Sequence, residues 1–486
     1  MKLRDTVIAI ALAFPFLASA QSSAQLQSEI EILKAQVKEL QELIRGKAAA
    51  PAVADAAPSV ELEEFNRIKT KVEAADDVSN TNGMKGLRIS GGIDPVYIWS
   101  QNKNLATFSF GNNTTTPAAT SYDDSMFGVA YLDLQKEMEG GTKFHLTLMP
   151  TKSSGGAFSA TTNGSIIQEA SASIPINGAS TRLMVGQMPD VSGYEPWYPT
   201  YVGENNITSN LLYPTYATNF VTHNLLWDFT GAYFYTGVGL DMVRGPWETK
   251  LFVANVNTSR GDSGAFPNAN QLSLKNTNQS NKNAGLIYNA AYTQEEFWGV
   301  EFTGYLLPNM PTPTGGAGTV NSFEIDGNFT RGTFSSNLQF TYGTQQNGAY
   351  SPDASGNTQD SRWYGMSLLL SEKVDPRWTL ATRVDYLNNQ ANGGGIFTLN
   401  GSNAAGTNIL GDAVNGFGPD VTDPTGQTGT NRAALAFSAT YHLNQNASLR
   451  GEFRRDFAST AAFYDYNSGN MSTTNNIFAL QALVNF

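Results

Sequence analysis

From Leu87 to Phe486 the chain carries apolar and polar residues in strict alternation, stretch after stretch. At the C-terminus Phe478, Leu480, Ala482, Val484 and Phe486 alternate with Ala479, Gln481, Leu483 and Asn485. A period of two belongs to an extended strand, whose successive side chains point to opposite faces. Segment 378–386 sets Trp378, Leu380, Thr382, Val384 and Tyr386 against Thr379, Ala381, Arg383 and Asp385, and 323–329 and 450–456 repeat the scheme. Sixteen such segments can be read: 87–99, 126–136, 143–151, 166–175, 181–189, 234–244, 247–257, 283–293, 298–307, 320–329, 334–343, 361–371, 378–387, 431–442, 447–456 and 475–486. The gaps between them alternate without exception between long (12 to 44 residues) and short (2 to 6 residues). A soluble sandwich offers no reason for this. A transmembrane barrel does, because its turns are short on one side of the membrane and its loops long on the other. The expected fold is an all-β transmembrane barrel of 16 antiparallel strands over 87–486. An even count places both of its ends on the short-turn, periplasmic side.

Composition agrees and excludes other classes. Only 15% of residues are charged, against about 25% in soluble domains. No repeated runs of about 20 apolar residues are present, so a helical membrane protein is excluded. A net charge of −12 argues against a nucleic-acid partner, which demands a basic surface. With no Cys and three His, thiolate chemistry is ruled out and a His-rich metal site is not expected. No cofactor is expected.

The segments ahead of the barrel read differently. Residues 1–20 combine Lys2 and Arg4, an apolar run Val7–Leu17 and the small-residue pattern Ala18-Ser19-Ala20, the marks of a secretory signal peptide. In 21–46, Leu26, Leu33 and Leu40 at d positions alternate with Ile30, Val37 and Ile44 at a positions, a short α-helical coiled coil. Residues 47–58 form an Ala/Pro linker. Over 59–86 a second helix is expected, with Ser59 as N-cap and Leu62, Phe65, Ile68 and Val72 on one face, followed by a hinge.

Trp247, Trp298, Phe334 and Trp378 each begin a strand directly after a short turn, and Phe486 ends the last one. These are the positions of a periplasmic-side aromatic girdle. The layout of signal peptide, coiled coil, linker and barrel resembles Gram-negative porins. More closely, EEFNRIKTKVEA, GLRISGGIDPVYI, LDLQKEMEGGTKFHLTL, GQMPDVSGYE, VTHNLLWDFTGAYFYTG and RVDYLNN are similar to a β-proteobacterial porin-like outer-membrane family of formally unknown function. That resemblance implies outer-membrane lipid as surroundings. It also implies that the assembly machinery reads the terminal signal Phe478, Leu480, Ala482, Val484 and Phe486, and that the protein is a homotrimer. The a and d residues by themselves suggest a dimer.

The expected function is passive diffusion of small hydrophilic solutes, with no enzyme activity. A barrel of this size leaves an aqueous channel, so selectivity needs a loop folded inward. The longest one, Asp190–Tyr233, is the third long loop; its Thr222–Phe229 segment can form a short helix or turn against the wall. Its Asp190, Glu195, Glu204, His223 and Asp228 are the candidate constriction residues. Alternation places Arg182, Glu324, Asp326, Arg383, Asp385, Arg450, Glu452 and Arg454 on the pore wall. Arg88, Lys143, Lys250, Asp94, Asp133, Asp241, Glu248, Glu301 and Asp456 join them there. Acids outnumber bases on this face, and the loop acids have no Lys or Arg beside them, which predicts a modest cation preference. Two alternatives stay open. In one, the barrel only anchors a coiled-coil spacer that reaches the cell wall. In the other, less favoured, the barrel is an enzyme built around a residue such as His145.

Overall fold

The computed structural model divides into two compact units, residues 1–82 and 83–486. It describes Thr70, 85–102, 105–110, 128, 130–149, 167–178, 180–189, 191–195, 219–230, 233–258, 284–294, 298–312, 317–349, 352–392, 401–402, 408–409, 423 and 428–486. The predicted signal peptide, coiled coil, linker and, but for Thr70, second helix lie outside the described residues, as do Asp190 and Glu204.

The second unit is a closed antiparallel barrel. β1 (Leu87–Ile93) and β2 (Val96–Ser100) are two halves of one wall strand, interrupted at Asp94 and Pro95. Proline cannot donate to a ladder, so a break there follows from the sequence. β3 (Leu105–Ser109) pairs with β2, and β4 (Ala130–Glu137) pairs with β1, so these two share the second wall position. Residues 105–109 therefore belong to the wall and not to the first long loop, where the alternation had placed them. Five residues are too short a run to establish a period.

The wall continues through β5 (Lys143–Leu148), β6 (Ile167–Pro175), β7 (Thr181–Pro189), β8 (Tyr233–Arg244), β9 (Trp247–Thr258) and β10 (Gly285–Gln294). It goes on through β11 (Trp298–Pro311), β12 (Ala317–Arg331), β13 (Phe334–Gln345), β14 (Ser361–Lys373) and β15 (Trp378–Ala391). Two small hairpins stand apart from this sheet, β16 (Gly401–Ser402) with β17 (Asn408–Ile409) and β20 (Phe463–Asp465) with β21 (Asn470–Ser472). β18 (Arg432–His442), β19 (Ala447–Ala458) and β22 (Thr474–Asn485) complete the wall. Each strand pairs with its neighbour in sequence, and β22 closes on β1 and β2. With the two split strands each counted once, the 18 paired segments make 16 wall strands. Closure satisfies every ladder without leaving an edge, which is what lets strands cross a bilayer.

The short turns carry the required chemistry. Gly245, at φ 58°, precedes Pro246, and Gly332, at φ 61°, precedes Thr333. A positive φ at the first central position of a two-residue hairpin suits glycine and matches the twist of the strands. Beside these turns Trp247, Trp298 and Trp378 stand outward, each more than 40% exposed. Trp247 and Trp298 flank Tyr292 at 5.0 and 5.5 Å, and Trp378 lies 4.9 Å from Tyr441. Leu251, Val253, Leu286, Phe302, Leu338, Phe340, Phe437 and Phe453 are also exposed, an apolar outer face. The inner face is buried and mostly polar.

Candidate functional site: a latched loop inside the barrel

Two described stretches between β7 and β8, 191–195 and 219–230, lie against inward-facing residues of the wall, with Val191, Tyr194, Glu195 and 220–229 buried there. Asn219 adopts φ 60°, a left-handed conformation that Asn tolerates. Asn224 then caps a short helix, α1 (Leu225–Thr230). Its side-chain oxygen accepts the Trp227 N–H at 2.7 Å, and its carbonyl accepts the Asp228 N–H at 3.0 Å.

Apolar packing holds the helix. Leu225, Leu226 and Phe229 share a buried cluster with Met184, Met188, Phe252, Ile287, Tyr305, Leu307, Trp363 and Leu387 of the wall. Phe229 meets Trp363 edge-on at 5.8 Å. This patch of inner face is apolar, although a water-filled channel predicts polar residues there. The signal was present in the sequence. Leu251–Asn257 and Leu286–Tyr292 carry apolar residues on both faces, which a one-sided strand does not need.

Polar contacts hold the approach to the helix. The Arg383 guanidinium donates to the carbonyls of Thr222 and His223, both at 2.7 Å, and to Thr222 Oγ1 at 3.1 Å. Arg454 donates to the His223 carbonyl at 2.6 Å and to Thr222 Oγ1 at 3.1 Å. Arg450 donates to the Phe220 carbonyl at 2.8 Å. Glu452 accepts the N–H groups of Val221 and Thr222 at 2.5 and 3.0 Å, and the Thr222 hydroxyl at 2.5 Å. Five donors in a rigid fork suit arginine for several carbonyls at once. Arg383 also stacks on the Phe220 ring at 4.6 Å, a cation–π contact.

The loop acids are drawn into the same network. Glu195 lies 3.3 Å from Arg383 and accepts the Asn224 N–H at 3.0 Å, and Asp228 lies 3.7 Å from Arg454. Wall acids sit beside the arginines as well, Asp385 at 3.2 Å from Arg383 and Asp456 at 2.9 Å from both Arg432 and Arg454. His223 stacks on Trp227 at 3.7 Å. Thus Arg383, Arg450, Glu452 and Arg454 converge on the 219–230 stretch, whereas Glu324 and Asp326 lie on β12 toward the other stretch, near Gly193. Arg182, on β7, donates to Ser173 and to the Gly141 carbonyl.

A second polar cluster lies on β4, β5 and β6. His145 is buried with Nδ1 2.8 Å from Glu169 and Nε2 bonded to Asp133. Thr147 Oγ1 stands 3.3 Å from Nε2 and donates to Asp133 at 2.8 Å, so its proton is directed at the carboxylate and not at the ring.

No curated protein matches the sequence. Solved structures similar to it include the anion-selective porin from Comamonas acidovorans, at 10% identity, covering 82% of this chain and 99% of that one with a TM-score of 0.47. The trimer form of OmpT, an outer membrane protein of Vibrio cholerae, matches at 11% identity, with coverage of 82% and 99% and a TM-score of 0.44. Salmonella typhi OmpF in complex with daunomycin matches at 12% identity, with coverage of 82% and 97% and a TM-score of 0.42. A family model described as "Protein of unknown function (DUF3138)" matches residues 45–298 and 312–486. That match spans most of the chain, which belongs to the DUF3138 family and folds as a closed antiparallel barrel of 16 wall strands.

Proposed function

We propose that this chain is an outer-membrane porin, a channel for passive diffusion of small hydrophilic solutes with a modest preference for cations. The observation that carries this reading is the 219–230 stretch of the third long loop, held against the charged inner wall by Arg383, Arg450, Glu452 and Arg454. A barrel serving only as an anchor has no need of a structured loop inside it. A 16-strand wall is wide enough to conduct, and a loop segment packed on its inner face takes up part of that width, as a sieve requires. The outward apolar face suits lipid, and a homotrimer is the assembly we expect. The spacer reading keeps the coiled coil as the working part and gives the lumen no role.

Planar bilayers separate the two. Purified full-length protein should insert in discrete conductance steps. A folded, membrane-inserted barrel that gives no steps at any salt concentration would favour the spacer.

A further inference from the structure

The inner face is buried on every one of the 16 wall strands. Around the ring Asp94, Thr147, Lys250, Thr341, Arg383 and Gln481 are each no more than 2% exposed. A wall of this size encloses more space than its own inward side chains can fill. Residues bordering an open column of water would be wetted, and these are not. At this height the described inner face is covered by protein.

The 219–230 stretch supplies much of that cover. Asn224 reaches β13 through Gln339, the Asn219 carbonyl reaches β18 through Ser438, and the Phe220 carbonyl reaches β19 through Arg450. Val221 shares a buried cluster with Val96 and Ile98 of β2 and with Ile477 and Ala479 of β22. α1 belongs to the cluster that includes Met184 of β7 and Phe252 of β9. One short stretch thus meets the wall from β7 round to β2.

Its two halves are held differently. α1 sits on an apolar patch, which water disfavours uncovering. Ahead of it, residues 220–223 are held mainly by their backbone. The carbonyls of Phe220, Thr222 and His223 and the N–H groups of Val221 and Thr222 all meet charged side chains of β15 and β19. Such bonds exchange for bonds to water at a small net cost. Asn219, at φ 60°, and Asn224, the cap of α1, bound this half, and a few end positions of this kind can take up the backbone change of a hinge.

We propose that residues 219–223 form a strap that closes the lumen at rest and opens it by leaving β15, β18, β19 and β22, while α1 stays on its apolar patch. The proposal rests on the channel reading and adds a gate to it: the sieve is the state with the strap released, and the state described above is the closed one.

The chain has no Cys, so a single introduced thiol reports by itself. Ala479→Cys places one on β22 beneath Val221, and Asn177→Cys places a reference in an exposed turn. In full-length protein, a charged, water-soluble methanethiosulfonate should modify Ala479→Cys at least about tenfold more slowly than the reference. Adding Arg383→Gln and Arg454→Gln should remove most of that protection and raise the open fraction in planar bilayers about fivefold or more. Ala434→Cys, in the cluster that holds α1, should stay protected in the same background. Thr222→Val, which leaves the wall charges in place, should act in the same direction and serves if the double variant fails to assemble; Thr222→Ser should behave as wild type. Labelling of Ala479→Cys at the reference rate without the latch changes overturns the proposal. So do latch variants that alter neither readout, and so does equal exposure of Ala434→Cys, which would mean general loosening of the barrel. If the thiols behave as expected but no variant conducts, the channel reading falls and the strap stands. If wild type conducts steadily with Ala479→Cys freely labelled, the strap falls and the channel stands.

Discussion

Thr222 is the residue on which the loop turns. Its hydroxyl donates to Glu452 and accepts from Arg383 and Arg454, while its N–H and carbonyl meet the wall as well. Thr222→Val keeps the shape and removes the hydroxyl. Glu452 then loses a donor inside the barrel, and the latch should weaken by about 1–3 kcal/mol. We expect added open-channel flicker in single-channel records, and quiet traces like those of wild type would refute the role. His145 belongs to the same scale. It stands between Asp133 and Glu169, and breaking a buried pair costs about 3–5 kcal/mol. His145→Gln should lower the urea midpoint of the barrel, while the further change Asp133→Asn should recover part of the loss. Additive losses would argue against the cluster. Alternation could place His145 on the inner face beside Thr147, but Asp133 and Glu169 come from other strands, and nothing near His145 in the sequence announces them.

At the level of the element, closure depends on the last strand. Phe486 donates its N–H to the Gly91 carbonyl at 3.0 Å and accepts the Gly91 N–H at 3.2 Å. Gly91 has no room for a side chain, since a Cβ there would lie 2.8 Å from both the Phe486 ring and the Tyr131 carbonyl. Deleting Phe486 removes both bonds and an outward aromatic. It should reduce the heat-modifiable barrel recovered from membranes, and Gly91→Val should do the same by preventing the approach. Undiminished band intensity on unheated gels would count against this. The strands themselves were legible because a period of two and the turn glycines are local properties. The split of the first two wall strands was only half legible. Pro95 marks the break in the first, whereas 105–109 has no periodic signature of its own.

For the whole molecule, we expect a trimer whose stability draws partly on Ile30–Ile44. Replacing Leu33 and Val37 with Asp should weaken crosslinking of the N-terminal segment, since charges at a and d positions oppose helix pairing. A crosslinking ladder that stops at the monomer in wild type would remove the premise. The barrel class, its sixteen strands and the outward side of most of them were determined by the sequence itself. Where one face is polar, alternation fixes which face is apolar, and turn length fixes how neighbours connect. The interior of the lumen was decided only in three dimensions. Arg454 meets Thr222 across 232 positions of sequence, and Arg383 meets His223 across 160. A strand shows which residues point inward but not what they meet there, because that depends on the register summed around the barrel and on where one long loop comes to rest. The same sum brings Glu301 opposite Asp326 and turns the arginines of β15 and β19 toward the loop. Charge composition was therefore readable along the chain, and charge pairing across the lumen was not.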